Sequence, residues 1–309
     1  MLYRSASMAE VNSTAQFHRS APIDLMKEFT ICESFARIDS PYAVALERPR
    51  SYGAMVGDFL LREGLLKKGA AVCEIGGGYG SLMQGLLSEY GHLIDRVYML
   101  DLSKSLLKRQ RKRLAPWSSK TTSIQADAHE MIGAISGIDL LIVNEVIGDL
   151  DTMTGIDPAD IPEEAAEVIR AYDLDIPSCE SFCLNVGAIR IVEAICRRNI
   201  PAFLTEHSSD PIIPEDMRYL ERGLKLDSYP REIRLFKHSE FTIRFSHLMR
   251  AAAACGKTAR TGSLLDLLPI RRTGDMRMIF TSRACSTERQ EIIFELLDHI
   301  REYRWLTIT

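Results

Sequence analysis

Apolar and polar positions divide the first half of the chain into a regular alternation. Residues 51–65 (SYGAMVGDFLLREGL) carry apolar side chains at helical spacing and end near Gly64, which predicts a helix. Residues 70–76 (AAVCEIG) form a short continuous apolar run bounded by glycine, the signature of a buried strand. A helix follows over 80–91 (GSLMQGLLSEYG) and a strand over 96–102 (RVYMLDL). Ser103 then suits the N-cap of a basic helix. Residues 121–127 (TTSIQAD) and 138–146 (IDLLIVNEV) read as the third and fourth strands. Strands and helices recur roughly every 25–30 residues, the beat of a parallel sheet covered by helices on both faces.

The second half is less regular. Residues 149–169 are acidic, carry two prolines, and read as a loop leading into a helix. A helix is expected over 184–200, a fifth strand over 202–208 and a helix over 245–256. Residues 276–282 (MRMIFTS) read as a strand, and a closing helix spans about 286–303. The expected division is an N-terminal segment, 1–50, partly helical and a candidate lid, followed by one main domain, 51–309. That domain carries substrate-side insertions at about 149–182 and 209–240.

Composition narrows the partners. The 309 residues are 46% hydrophobic and 26% charged, an ordinary globular balance. Net charge is −4, and the most basic stretch, 103–114, places Leu106, Leu107 and Leu114 inward on a helix. Its charges are then a solvated helix face, so no nucleic-acid partner is expected. No stretch of eighteen apolar residues occurs, so no membrane-spanning helix and no membrane partner are expected. The first twenty residues, Ser-rich with two arginines and one acid, read as an unstructured terminus. The seven cysteines form no CxxC pair, and no His or Cys near Cys179 and Cys183 completes a metal set. Reduced thiols, a cytoplasmic setting and no metal are the expectation.

In such a sheet ligands sit beyond the carboxyl ends of the strands. The first strand delivers Glu74 and then Gly76, Gly78 and Gly80; the second ends at Asp101, the third at Asp127, the fourth at Asn144 and Glu145. Glycines let the backbone approach a ligand and leave a helix N-terminus beneath it. A carboxylate at Asp101 can accept both hydroxyl protons of a ribose, and Asp127 can accept from the exocyclic amine of adenine. A phosphate loop would need a Lys and a Ser or Thr closing the turn, and neither is present. A dinucleotide fingerprint would need glycine where Ser81 stands. Glu74, two residues before the first glycine, would repel a pyrophosphate but suits a cofactor bearing an ammonium and a sulfonium. S-adenosylmethionine is that cofactor.

The glycine run, Asp101 and Asp127 resemble the class I S-adenosylmethionine-dependent methyltransferases. More narrowly, EIGGGYGSLMQGLL with VYMLDLSKSLLKRQRKRL, IVNEVIGDL, and FSHLMRAAAACGKTARTGSLLDLLPI are similar to stretches of the MidA family, which includes the mitochondrial complex I assembly methyltransferase. The similarity spans roughly residues 50–270, and its last stretch lies outside the cofactor site. It implies a Rossmann-like class I methyltransferase fold: a mostly parallel seven-stranded sheet with helices on both faces, plus an insertion in the second half. It also implies cofactor binding by Glu74, Gly76, Gly78, Gly80, Asp101 and Asp127, and a protein arginine as methyl acceptor. The chain departs from the family at Gly148, where an acid is usual, at the missing proline after Asp149, and at Arg244 in place of an aspartate.

Methyl transfer from a sulfonium is a direct displacement, so alignment and exclusion of water are the protein's tasks. Asn144 and Glu145 are the expected catalytic pair, Glu145 orienting a cationic or hydroxylic acceptor and Asn144 fixing it; Asn144 also borders the cofactor. The alternative for Glu145 is a cap on the following turn. His129 and His207 are candidate bases. A sugar or metabolite acceptor is the second reading, and a cofactor-binding assembly factor without turnover the third. A homodimer is left open.

Overall fold

The computed structural model describes residues 9–21, 25, 29–235 and 237–309. Its centre is a seven-stranded sheet built from β1 (Ala70–Ile75), β2 (Ile94–Asp101), β3 (Thr121–Gln125), β4 (Leu140–Asn144), β5 (Ala202–His207), β6 (Ala259–Ser263) and β7 (Tyr303–Ile308). The spatial order is β6-β7-β5-β4-β1-β2-β3. Five strands, β5 to β3, run parallel, and β7 lies antiparallel between β5 and β6. Chain order reverses between β1 and β4, which opens a crevice beyond their carboxyl ends.

Strand periodicity sends alternate side chains to two separate cores. Val72, Met99, Ile142 and Phe203 join helices α1 (Tyr52–Arg62) and α2 (Ser81–Tyr90) on one face. Cys73, Leu100, Val143 and Leu204 join α4 (Val186–Arg198) and α5 (Phe245–Ala254) on the other. The basic helix α3 (Lys104–Arg113) buries Leu106, Leu107 and Gln110 and turns its charges outward. Each fully buried aliphatic side chain contributes about 1.5–3 kcal/mol, so both faces of β1 are firmly held.

Several expectations need correction. Residues 276–282 are not a strand but most of helix α6 (Gly274–Ser282), because Met276, Ile279 and Phe280 fall on one face and Thr273 caps Met276 N–H at 3.2 Å. The closing helix stops earlier, as α7 (Glu288–Ile300), and the chain then enters β7. The acidic loop after β4 contains a strand, Thr152–Ile156, paired with Phe182–Leu184 and with Glu10–Asn12 from the N-terminal segment. Within the first twenty residues Glu10–Asn12 is therefore a strand and Ala15–Ser20 a helix, not an unstructured terminus; the expectation for residues 1–8 lies outside the described residues. Within 209–240 a hairpin joins Glu232–Arg234 to Ser239–Phe241. Among the described residues no helix is long and apolar enough to cross a membrane.

Candidate active site

The parallel ladder brings four strand ends to one cavity of about 230 Å³. Every residue expected there from the sequence lines it except Gly80, which starts α2 one step behind, against Gln110. Gly76 turns the chain out of β1 at φ +62°, where a Cβ would stand 2.4 Å from Val146 Cγ2. At Gly78, φ +51°, a Cβ would meet Leu25 at 2.9 Å. At Gly76 and Gly78 the backbone therefore faces the cavity without a side chain, while Tyr79 beside them lines it.

Glu74 is 1% exposed, and its Oε2 has no hydrogen-bond partner. Burial, aided by the charge of Asp101, pushes its carboxyl up to about 8. A buried acid with an orphaned oxygen is a seat for a cation. Asp101 is pushed up to about 6 by burial, against two hydrogen bonds that favour its charge. Its Oδ1 accepts from Ser103 N–H at 2.8 Å and its Oδ2 from Gln110 Nε2 at 2.9 Å. The same amide reaches Gly78 O at 3.0 Å, so Gln110 clasps the glycine turn to the second strand end. Asp127 caps the helix Ala128–Ile132 through His129 N–H at 3.0 Å and pairs with Arg19 at 3.1 Å.

Asn144 and Glu145 lie at the expected place, yet their polar atoms point into the protein. Asn144 Oδ1 accepts from Tyr52 (2.8 Å) and Thr205 (2.6 Å), while its Nδ2 donates to Cys32 Sγ (3.3 Å) and Glu145 Oε2 (3.1 Å). Glu145 also accepts from Ile31 N–H (3.0 Å), Cys32 N–H (3.4 Å) and the Tyr303 hydroxyl (3.0 Å). Both side chains thus spend their full hydrogen-bonding capacity internally. Burial raises the Glu145 carboxyl, and these four bonds oppose the rise. Glu145 adopts φ +52°, so the strand end is held in a conformation that only its partners make worthwhile.

The N-terminal segment forms the opposite wall. Thr14 donates to Asp149 O at 2.7 Å, His18 meets the Asp149 carboxylate at 3.0 Å, and Glu33 pairs with Arg113 at 3.1 Å. A second cavity of about 370 Å³ shares His18, Leu25, Thr30, Glu145 and Asp149 with the first. Of the two candidate bases, His129 lines the first cavity and His207 the second. Desolvation lowers both, His207 down to about 3, with its ring 3.8 Å from that of Tyr303. His207 is a neutral imidazole there and a poor base.

Residues 58–153 match a family model described as "Putative S-adenosyl-L-methionine-dependent methyltransferase". The protein is a class I S-adenosylmethionine-dependent methyltransferase. Two crystal structures of one superfamily from Burkholderia thailandensis show the same fold. An uncharacterised member superimposes with a TM-score of 0.51 at 15% identity, over 97% of this chain and 87% of that one. A member bound to S-adenosyl-homocysteine gives 0.53 at 18% identity, over 89% and 78%. Among curated proteins none matches the sequence.

The cofactor of the methyltransferase is S-adenosylmethionine, and the site fits it: a glycine turn closed to side chains, an orphaned buried carboxylate and a second carboxylate on the next strand. Gln110 escaped the sequence reading, although it is the one uncharged polar residue between cations on the buried side of α3. Tyr52, Thr205 and Tyr303 carried no local signal, because they reach the site only through the fold. Two of the three departures from the family pattern also find reasons. Gly148 donates its N–H to Glu206 at 3.1 Å, and a Cβ there would stand 2.9 Å from Phe241 O. Arg244 is buried in an ion-pair cluster with Asp175 and Asp227, over the ring of Tyr229.

Proposed function

We propose that the methyltransferase moves a methyl group onto a guanidinium nitrogen of an arginine side chain in a partner protein: the N–C bond forms as the S–C bond breaks, S-adenosylhomocysteine leaves, and the N–H proton passes to a carboxylate of the second cavity and on to water. The observation that carries this is the second cavity. Among the described residues Asp149, Glu240, Asp298 and Glu302 line it with Arg231, which pairs with Glu302, and it shares the wall of His18, Leu25, Thr30, Glu145 and Asp149 with the cofactor cavity. Carboxylates in that number attract and orient a guanidinium, and hold it in line for displacement.

When bound, S-adenosylmethionine supplies an electrophilic methyl on a sulfonium. Glu74 would hold its ammonium, Asp101 its ribose hydroxyls and Asp127 its adenine amine, and the glycine turn would let the backbone close on the ligand. Asn144 and Glu145 act as positioning residues: with no lone pair to spare, they fix the N-terminal wall between the two cavities.

The lining of the same cavity supports a second reading. A chamber lined by His207, His299 and Tyr303 also suits a small hydroxylated acceptor. Incubation with methyl-labelled S-adenosylmethionine and a host lysate separates the two. Label in protein, released as methylarginine on hydrolysis, supports the arginine reading. Label confined to small molecules transfers the case to the second.

A further inference from the structure

Three side chains outside the glycine and carboxylate set meet where the two cavities join. His18 comes from the helix Ala15–Ser20, Asp149 from the turn after β4, and His238 from the loop of the 232–241 hairpin. His18 Nε2 lies 3.0 Å from Asp149 Oδ1, and His238 Nε2 lies 3.4 Å from the same oxygen. One ligand atom from each residue falls within 4.8 Å of the other two. The His238 side chain is 7% exposed; its Nδ1 has no hydrogen-bond partner, and its Nε2 meets the Asp149 and Glu240 carboxylates only at 3.4 and 3.5 Å. A buried imidazole left in that condition requires a reason.

A divalent ion bound at about 2.0–2.2 Å by two imidazole nitrogens and one carboxylate oxygen sets those atoms about 3.0–3.5 Å apart. The two measured edges fall in that range. Two nitrogens with one oxygen select a transition ion over calcium or magnesium, whose ligands are oxygens. We propose that His18, Asp149 and His238 form a site for a divalent transition-metal ion, zinc or a similar ion, that fastens the N-terminal segment over the cofactor cavity. The ligands belong to segments remote in sequence, His18 and Asp149 standing 131 residues apart, so the ion would reinforce a seam already made by the pairing of Glu10–Asn12 with Thr152–Thr154 and by Thr14 on Asp149 O. Glu240 Oε1, 3.5 Å from His238 Nε2, brings a second carboxylate alongside; with the ion in place Asp149 and Glu240 balance its charge, and Asp298 and Glu302 remain to face the acceptor. His18 and Asp149 line both cavities, which leaves the ion's remaining side facing the shared opening.

The test uses the full chain, stripped with a chelator and titrated with zinc, and separately with cobalt(II), whose visible bands report nitrogen and oxygen ligation. One ion per chain is expected. His18→Gln and His238→Gln should each weaken uptake about ten-fold or more, with the fold checked by circular dichroism. His207→Gln, across the second cavity, should keep wild-type uptake and controls for stray histidine binding. Removing the ion should weaken S-adenosylhomocysteine binding by about ten-fold, an ordinary coupling between neighbouring sites. Substoichiometric uptake by the wild type, uptake unchanged in both His18→Gln and His238→Gln, or equal loss in His207→Gln would overturn the site. Stoichiometric uptake with S-adenosylhomocysteine affinity indifferent to the ion would overturn the fastening role. Neither readout requires methyl transfer, so the inference stands or falls apart from the acceptor.

Discussion

The floor of the cofactor cavity comes from four parallel strands that follow one another between Ala70 and Asn144, while its roof comes from Thr14, His18, Thr30, Glu33 and their described neighbours and from the turn at 146–151 after β4. Floor residues sit where the backbone ladder puts them: Glu74 is paired in register with Met99 and Ile142, and Asp101 with Gln125. Roof residues are held by single side-chain bonds, such as Thr14 to Asp149 and Ile31 to Glu145. A ladder fails only with the sheet, whereas isolated bonds of about 1 kcal/mol each can open locally. The floor is built to hold a ligand and the roof to admit it.

The largest effect is expected from breaking the floor. Gly76→Val forces a β-branched residue to φ +62° and into Val146, so S-adenosylhomocysteine binding should fall more than about 100-fold by calorimetry. Retained affinity with an intact fold would show that the turn can move and that the floor is no more rigid than the roof. Next comes Asp101→Asn, which keeps the shape but loses a charge-assisted acceptor. A drop of about 10–100-fold is expected, matching the roughly 1.5–3 kcal/mol of a charged hydrogen bond.

What could be read in advance follows the same division. Glu74, Asp101 and Asn144 were legible because each stands at or next to the end of a buried apolar run with a glycine or polar boundary; Asp127 lies two residues past a half-buried strand and was legible from the recurrence of strands and helices. β7 was missed because YRWLTI follows a helix directly and is buried along its whole length, so no polar alternation marks the change. Its Arg304, an unpromising core residue in sequence, is neutralised by Asp210 at 2.8 Å. The roof was legible only as a candidate lid. Thr30 and Glu33 do carry a capping-box spacing, with Thr30 accepting from Glu33 N–H at 3.3 Å, but nothing local tells that Glu33 then pairs with Arg113. Likewise Asn144 and Glu145 were placed correctly at the strand end, and only the fold reveals that their bonding positions are engaged.

Within the floor, pH gives a sharper probe with two readouts of opposite sign. Burial raises Glu74 from 4.5 to about 8, so between those values the folded chain holds a proton that the unfolded chain has released. Stability of the ligand-free protein therefore falls as pH rises across that window. An ammonium bound beside Glu74 favours the carboxylate, so S-adenosylmethionine affinity should rise from pH 6 towards 8, by up to about ten-fold per pH unit for one linked proton. Glu74→Gln should flatten both trends. Affinity that is level with pH in the wild type would remove Glu74 from the ammonium site.

The smallest effect, and the one that decides how roof and floor communicate, belongs to Glu145→Gln. The amide can still accept from Ile31 N–H and Tyr303 but cannot accept at both of its terminal atoms, so the bonds from Cys32 N–H and Asn144 Nδ2 are lost or turned. If Glu145 positions the roof, amide exchange around residues 30–33 should quicken, and S-adenosylhomocysteine affinity should fall only a few-fold, with methylation persisting. If it contacts the acceptor instead, kcat should drop about 100-fold or more while cofactor affinity and exchange at 30–33 stay as in the wild type. The saturated bonding of the carboxylate favours the first outcome, because an acceptor could engage it only by displacing a bond that already holds the roof in place.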